Sequence, residues 1–305
     1  MKKFATKAMA ALLAAMLATM LLIAAGCADV QSKQARIRVA VGIVPVAAFV
    51  AQVAGDRADV ITMIPPGYSP ANYEPTAGQM RALSDADVYF TLHMPAETSS
   101  ILPRIADFNE DVRMIDLHEA VEQIHPMIEL NGSDGEHADH DHGEADDPHI
   151  WLSPKRAVVM VHKIADTLAQ IDPEGAAVYQ SNAADYIAQI KALDKQIELK
   201  LAGLENRSFL IYHPSYTYFA EDYGLQMLTI EAAGKTAGAA EMVRVIGIAQ
   251  QSGITTVFYQ GEFSSSRAQA VAEQIGGVVR EARPLAQDYI IALGEFAAAI
   301  AGETK

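Results

Sequence analysis

Cysteine is almost absent from this chain, since Cys27 is the only one among 305 residues. A metal site would therefore have to be built from nitrogen and oxygen ligands. Basic residues are also scarce, because 23 Lys and Arg stand against 38 Asp and Glu and give a formal net charge of −15. This deficit argues against a nucleic-acid partner, which needs clustered Lys and Arg to bind phosphates. An acidic surface instead raises the local concentration of cations.

The N-terminus has the pattern of a secretory signal. Three lysines within the first seven residues precede an apolar run, residues 8–25, that contains no acidic residue. Small residues then lead into Cys27, which is similar to a bacterial lipobox. We expect cleavage after residues 1–26 and lipidation of the Cys27 thiol, which would tether the mature chain to a membrane. The alternative is an ordinary signal peptide with an unrelated cysteine.

The rest of the chain alternates between short β-branched runs and stretches with helical spacing, such as 47–53 and 76–84. Such alternation predicts an α/β fold with parallel sheets covered by helices, and the length favours two domains. The predicted strands are 36–43, 60–64, 88–92, 112–115, 209–212, 227–230, 256–259 and 278–280.

One long amphipathic helix is predicted between the two halves, over residues 173–204. Asp172 is a suitable N-cap and Pro173 a suitable first-turn residue. The apolar positions that carry the helical spacing are Val178, Tyr186, Ile187, Ile190, Leu193, Ile197 and Leu201. The helix would join an N-terminal lobe, 27–172, to a C-terminal lobe, 205–305, as a rigid spine; the alternative is two shorter helices within one lobe.

Histidine and acidic residues concentrate in one segment of low complexity, 129–148. This segment cannot pack a core and is predicted to be a mobile loop. It contains His137, His140 and His142, and His149 follows it directly. Neutral imidazole and carboxylate are ligands that a borderline divalent metal prefers, and zinc is the first candidate.

Three further segments carry a resemblance to a known family. They are Asp-Pro-His-Ile-Trp-Leu-Ser-Pro at 147–154, Tyr-His-Pro-Ser-Tyr-Thr-Tyr-Phe-Ala at 212–220 with Tyr-Gly-Leu at 223–225, and Gly-Tyr-Ser-Pro-Ala-Asn-Tyr-Glu-Pro-Thr at 67–76. Together with the lipobox and the His-rich loop, they resemble the zinc and manganese solute-binding lipoproteins of ABC importers. The resemblance runs from Val39 to Ala301.

The resemblance implies two Rossmann-like α/β lobes, one long connecting helix, and a metal held in the interlobe cleft by histidines from both lobes. His149 and His213 match two of those ligands. At two other ligand positions this chain departs from the family, with Ala71 in place of the usual His and Arg283 in place of the usual Asp. Neither alanine nor the cationic arginine can ligate a metal.

Replacements for the two lost ligands are visible in the sequence. His93 follows the predicted strand 88–92, whose end should open onto the cleft. The alternative for His93 is an exposed loop residue. In the second lobe, Gln260 or Glu262 offers an oxygen after the strand 256–259, or Glu262 pairs with Arg283.

The predicted function is an extracytoplasmic, lipid-anchored receptor that captures Zn²⁺ and delivers it to the permease of an ABC importer. It is not an enzyme, acts as a monomer, and would be periplasmic where an outer membrane exists. Mn²⁺ is the alternative cargo within the same family, although manganese prefers more carboxylate oxygen. The alternative functions are a secreted zinc hydrolase, a surface adhesin, and a divergent relative whose cleft binds something other than a metal.

Overall fold

The computed structural model describes residues 36–129, 146–232, 235–236 and 238–302, and these form two α/β lobes. The strands of the first lobe are β1 (Ile37–Val41), β2 (Ala58–Thr62), β3 (Val88–Thr91) and β4 (Arg113–Asp116). Its helices are α1 (Val44–Ala54), α2 (Ala77–Ser84), α3 (Leu102–Phe108), α4 (Leu117–Glu122) and α5 (Pro154–Ile171). A connecting helix, α6 (Ala176–Leu201), follows.

The second lobe repeats the alternation of strand and helix. Its strands are β5 (Ser208–Ile211), β6 (Gln226–Thr229), β7 (Glu231–Ala232), β8 (Lys235–Thr236), β9 (Thr256–Gln260) and β10 (Val278–Ala282). Its helices are α7 (Thr217–Asp222), α8 (Ala239–Gln251), α9 (Ser266–Ile275) and α10 (Tyr289–Ile300). Every strand predicted from the sequence is present within two residues of its predicted bounds.

Within the described residues, each lobe has a four-stranded parallel sheet. The strand order is β2-β1-β3-β4 in the first lobe and β10-β9-β5-β6 in the second, and β7 and β8 form a separate antiparallel pair. All four residues of β3 are buried, as expected for a strand covered on both faces. In open parallel sheets the carboxyl ends of the strands carry the ligand site. The α/β prediction is confirmed.

The connecting helix α6 is continuous, so the alternative of two shorter helices is wrong. Asp172 caps the preceding 3₁₀ turn Pro173–Gly175, where its Oδ1 accepts a hydrogen bond from the Gly175 amide at 3.2 Å. With 26 residues, the helix is about 39 Å long. Of the seven apolar positions used to predict it, only Val178 is exposed; the other six are buried.

Helix α6 packs against α1 and α5 of the first lobe and against α10 of the second. One hydrophobic core therefore continues across both lobes. At its centre, the Phe49 ring lies 6.0 Å from the Tyr186 ring and 5.0 Å from the Tyr289 ring, measured between centroids. Aromatic contacts of this kind stabilise beyond the area that they bury.

Polar contacts also connect the lobes at the start of α5. The Arg156 guanidinium is almost fully buried and lies 3.1 Å from a Glu221 carboxylate oxygen and 3.4 Å from one of Asp222. The Ser153 hydroxyl, which caps α5, donates to the Asp222 carboxylate at 2.5 Å. A buried charge is retained only when it is paired, so these contacts fix how α5 meets α7.

Several predicted features lie outside the described residues. They are the signal segment 1–26, Cys27, and the histidines of the loop at His137, His140 and His142. The described residues on either side of the loop are joined, because Glu129 and Asp146 form an antiparallel bridge. Among the helices that the structure describes, none combines the length and the apolar character needed to cross a membrane.

Candidate metal site

His149 and His213 meet in the cleft between the lobes. His149 immediately precedes the 3₁₀ turn Ile150–Leu152, which leads into α5, and His213 follows the end of β5 by two residues. Their ring centroids are 5.4 Å apart and the ring planes meet at 73°. Each lobe therefore contributes one imidazole to the same point.

Each of these imidazoles is held by a carboxylate at Nδ1. The Nδ1 of His149 lies 2.6 Å from Oδ1 of Asp147, and the Nδ1 of His213 lies 3.0 Å from Oε2 of Glu231. Because a carboxylate accepts a hydrogen bond, Nδ1 carries the proton and Nε2 presents its lone pair. This is the usual arrangement around a metal-binding histidine, where the carboxylate fixes the tautomer and increases the basicity of the ligand.

The two carboxylates are themselves buried. Asp147 has no exposed surface and Glu231 is only 7% exposed. Burial alone would raise the pKa of Asp147, but electrostatic attraction to the His149 ring and hydrogen bonds from that ring and its amide outweigh burial and lower the pKa. Negative charge is therefore fixed directly behind the imidazoles, where a bound cation would benefit from it.

A cavity of about 540 Å³ opens in front of the two imidazoles. Its walls are mainly apolar and rich in proline. Trp151 forms part of the wall, with its ring centroid 5.3 Å from that of His149, and its indole N–H donates to the carbonyl of Pro284 at 2.8 Å. Phe263 stacks on His213 at 5.0 Å. The imidazoles are thus held between aromatic rings and carboxylates.

The loop after β3 forms part of the first-lobe wall and is held by a buried carboxylate, Glu97. That carboxylate accepts hydrogen bonds from the Tyr89 hydroxyl at 2.8 Å, the Leu92 amide at 3.1 Å, and the amide of Met94, which lines the cavity, at 2.9 Å. A Cβ at Gly42 would collide with the Glu97 carboxylate, so only glycine permits this approach. Burial raises the pKa of Glu97, against the opposing effect of these hydrogen bonds.

Gln260 and Glu262 both line the cavity. Gln260 is buried, and its side-chain amide donates to the Ser215 hydroxyl at 2.5 Å and lies 3.4 Å from the His213 carbonyl. The amide therefore supports the loop that carries His213. Burial, together with the neighbouring charge of Glu281, raises the pKa of Glu262.

Ala71 and Arg283, the two positions where the resemblance implies ligands, lie in different surroundings. Ala71 lines the cavity, with no side chain to offer. Arg283 forms ion pairs with Asp288 at 3.3 Å and with Glu295 at 2.9 Å, so the predicted alternative of a pair between Arg283 and Glu262 is wrong. Across the described residues, no three His, Cys, Asp or Glu side chains are grouped so that they could hold a metal ion.

The structure does not bring His93 to the other two histidines. It lies at the end of β3 as predicted, but it does not line the cavity. Its backbone is left-handed, with φ of 57°, and its Nε2 lies 3.0 Å from Oδ2 of Asp116 at the end of β4. Its ring stacks on that of His118, with 6.1 Å between centroids. His93 therefore occupies an edge of the first lobe.

Asp147 and Glu231 were not predicted from the sequence as residues of the site. Both left a signal. Asp147 lies two residues before His149, within reach of its ring. Parallel pairing of β5 with β6 places Ile211 beside Thr229, so the residues two positions further on, His213 and Glu231, follow the same register.

Comparison with known proteins identifies a family. Residues 39–302 match the family "Zinc-uptake complex component A periplasmic". The zinc-binding lipoprotein AdcA of Streptococcus pneumoniae is 30% identical over 272 residues, which is 87% of this chain and 53% of that protein. The chain thus spans about half the length of that relative. The high-affinity zinc uptake system protein ZnuA of Bacillus subtilis is 28% identical, over 82% of this chain and 78% of that protein.

A crystal structure of ZnuA has the same fold, with a TM-score of 0.79 and 31% identity over 88% of this chain and all of that one. The family match covers most of the chain, and the fold, the connecting helix and the paired histidines are consistent with it. This chain belongs to the family of periplasmic A components of zinc-uptake complexes.

Proposed function

We propose that this chain is the metal-capturing component of an ABC importer, which holds Zn²⁺ between His149 and His213 and passes it to a membrane permease. One observation carries the proposal: an imidazole from each lobe reaches the same point of the cleft, and a buried carboxylate holds each Nδ1. The lone pairs of the two Nε2 atoms are then free for a metal. The family match and the names of the relatives support zinc uptake.

The chemistry of the site favours zinc over manganese. Imidazole nitrogen suits zinc, whereas manganese prefers sites rich in carboxylate and carbonyl oxygen. Both carboxylates closest to the imidazoles are engaged with Nδ1 atoms. Competition between the two ions at the purified chain tests zinc as the cargo. A site of nitrogen and oxygen donors ordinarily binds zinc more tightly than manganese, so retention of Mn²⁺ against an equal concentration of Zn²⁺ would contradict the assignment.

Capture and delivery follow from the division of the site between two lobes. An ion ligated by His149 and His213 stabilises the arrangement in which the lobes meet, and so shifts the equilibrium of conformations that a permease can recognise. Release requires only that one imidazole withdraws. The family match supports a receptor of this kind and not a secreted zinc hydrolase.

The proposal extends to the parts of the chain that the structure does not describe. Lipidation of Cys27 would anchor the receptor, as a monomer, at the outer face of the cell membrane, or in the periplasm where an outer membrane exists. Some relatives are named lipoproteins, which supports the anchor. His137, His140 and His142 would collect zinc loosely near the cleft.

The test is zinc titration of the purified mature chain and of two variants, His149→Ala and His213→Ala. We expect one tight zinc ion in the parent chain and a loss of affinity of about 100-fold or more in each variant, because a removed imidazole leaves a single protein donor. His162→Ala, at an exposed position of α5, is the matched control and should bind like the parent. Retention of affinity in both cleft variants would show that the ion binds elsewhere.

A further inference from the structure

The cleft supplies fewer donors than a zinc ion requires. Zinc in proteins takes four ligands in most sites, and two of them here are the imidazoles of His149 and His213. Ala71 cannot contribute, Arg283 is engaged with two acidic residues of the second lobe, and the described residues offer no group of three metal-ligating side chains. Two coordination positions are left for groups that do not belong to the chain.

The cavity is much larger than two water molecules would need. A water molecule occupies about 30 Å³ in the liquid, so two would fill roughly 60 Å³. The cavity measures about 540 Å³, which falls within the range of about 300–1,000 Å³ found for small-molecule sites. A bare hydrated ion would leave most of this space without a specific occupant.

The walls of the cavity suit an apolar occupant. Residues that line it include Met94, Pro148, Pro214, Phe263, Pro284 and Leu285. These side chains cannot replace the hydration of an ion, but they stabilise an apolar body by removing its surface from water. The polar side chains of the lining are fewer, and they are the two imidazoles, Gln260, Glu262, Ser69, Asn72 and Ser215. The site thus has a metal-binding end and an apolar remainder.

The carboxylates around the cavity restrict the net charge that the missing ligand can carry. Asp147 and Glu231, directly behind the imidazoles, already balance the two positive charges of a zinc ion. Glu262 lines the same cavity and adds a third carboxyl group. A strongly anionic chelator would place further negative charge in this enclosed space, which is unfavourable at low dielectric. The remaining donors therefore belong to a molecule that is neutral or carries a single negative charge.

We propose that the cleft binds zinc as a complex with a small bidentate organic chelator, neutral or singly charged, whose apolar body fills the cavity. His149 and His213 supply two ligands and the chelator supplies the other two. This inference rests on the proposed function and names the form in which the metal is captured. It would let the chain hold a metal with Ala71 and Arg283 at the two positions where the resemblance implies ligands.

Equilibrium dialysis of the mature chain tests the proposal with zinc alone, zinc with 1,10-phenanthroline, and zinc with ethylenediamine, all at the same buffered free Zn²⁺ concentration. Phenanthroline is a neutral bidentate chelator with an apolar body, and ethylenediamine is a neutral bidentate chelator without one. Zinc per chain is measured by mass spectrometry and phenanthroline per chain by absorbance. We expect a complex with one zinc and one phenanthroline per chain, and about tenfold or greater tightening of zinc binding over zinc alone.

A gain-of-ligand variant provides the second arm. Ala71→His adds an imidazole to the same cavity, so it should raise the affinity for zinc alone by about tenfold or more and reduce the gain from phenanthroline. Ala77→His, at the exposed start of α2, is the matched control and should behave like the parent.

The outcomes separate this inference from the proposed function. If zinc alone binds tightly and phenanthroline removes it, the chelate proposal is overturned and the zinc receptor stands. If ethylenediamine tightens binding as much as phenanthroline does, the assignment of an apolar chelator is overturned. If zinc binds under none of the three conditions and Ala71→His does not restore it, the proposed function itself fails.

Discussion

Two pairs of histidines in this molecule look alike and differ in one decisive respect. The cleft pair, His149 and His213, and the edge pair, His93 and His118, each bring two imidazoles within about 6 Å and place carboxylates beside them. In the cleft pair the carboxylates meet Nδ1. In the edge pair they face Nε2, with Asp116 at 3.0 Å from His93 and Asp146 at 3.9 Å from His118.

The choice of nitrogen decides what each pair can bind. A carboxylate at Nδ1 leaves the outer nitrogen, Nε2, with a lone pair for a metal. A carboxylate at Nε2 engages the outer nitrogen and leaves the lone pair on Nδ1, which lies next to the Cβ of the same side chain and is harder for a metal to reach. Proximity of histidines is therefore a weaker indicator of a metal site than the identity of the ring nitrogen that is held by a neighbour.

The largest effect that would test this comparison comes from Asp147→Asn. An amide cannot replace the negative charge behind His149, so we expect zinc affinity to fall by about 10–100-fold. Asp116→Asn is the same substitution beside the edge pair and should leave zinc affinity within about twofold of the parent. Isothermal titration calorimetry with zinc measures the affinity of both variants. Equal losses of affinity would show that the two histidine pairs do not differ in this respect.

A smaller loss is expected for Glu231→Gln. The contact of Glu231 with His213 is longer than that of Asp147 with His149, at 3.0 Å against 2.6 Å, and a glutamine oxygen can still accept from Nδ1. We therefore expect Glu231→Gln to reduce zinc affinity by about tenfold, at the lower end of the range expected for Asp147→Asn. The same titration measures it, and a loss larger than that of Asp147→Asn would reverse the order of the two carboxylates.

Deletion of residues 132–143 should change the tight site still less. The flanking residues Glu129 and Asp146 are already paired, so the shortened chain can close between them. We expect zinc affinity of the cleft to stay within about threefold, and the number of weakly bound zinc ions to fall, because three histidines are removed. Loss of the tight ion on deletion would mean that the loop and not the cleft pair holds it.

The smallest effect on zinc is expected for His93→Ala and His93→Gly, which should both bind zinc like the parent. Their stabilities should differ, because φ of 57° disfavours alanine by about 1 kcal/mol relative to glycine. Thermal unfolding measures the difference. A fall in zinc affinity in both variants would instead support His93 as a ligand.

The edge pair also predicts a dependence of stability on pH. The hydrogen bond with Asp116 raises the pKa of His93. The stabilisation is therefore fully present below the unfolded value of about 6.5 and is lost as the pH rises through the higher folded value. His93→Gly should thus cost more at pH 5.5 than at pH 8.5. Because the side chain is 47% exposed, solvent screening limits the difference to about 1 kcal/mol or less, and equal costs would contradict it.

The fold was accessible from the sequence because its signals are local. Strand β3 is a short continuous apolar run and helix α6 is an apolar pattern of period 3.6, and turn residues bound both. The single misjudged position of α6, Val178, is an apolar residue that stays 44% exposed among the described residues. Local patterns report which residues can be buried, and they do not report whether a partner surface is present.

The site was only partly accessible. His149 and His213 were found through the motifs around them, whereas Glu231 becomes visible only when the register of β5 with β6 is known. His93 was correctly placed at the end of its strand. The direction of its side chain depends on a left-handed backbone, which a sequence does not predict for a residue other than glycine. Side-chain direction is set by tertiary contacts, and a single sequence does not contain them.

Asp147 forms hydrogen bonds with three different parts of the molecule. Its carboxylate holds His149, its amide donates to the carbonyl of Ile128 beside the loop at 2.8 Å, and its carbonyl accepts from the Tyr218 hydroxyl of the second lobe at 2.8 Å. A movement at any one of these three contacts therefore changes the other two. In thermodynamic terms they form one linked equilibrium, and linkage is reciprocal. If binding in the cleft favours one conformation of the loop base, that conformation of the loop base must strengthen binding in the cleft by the same factor.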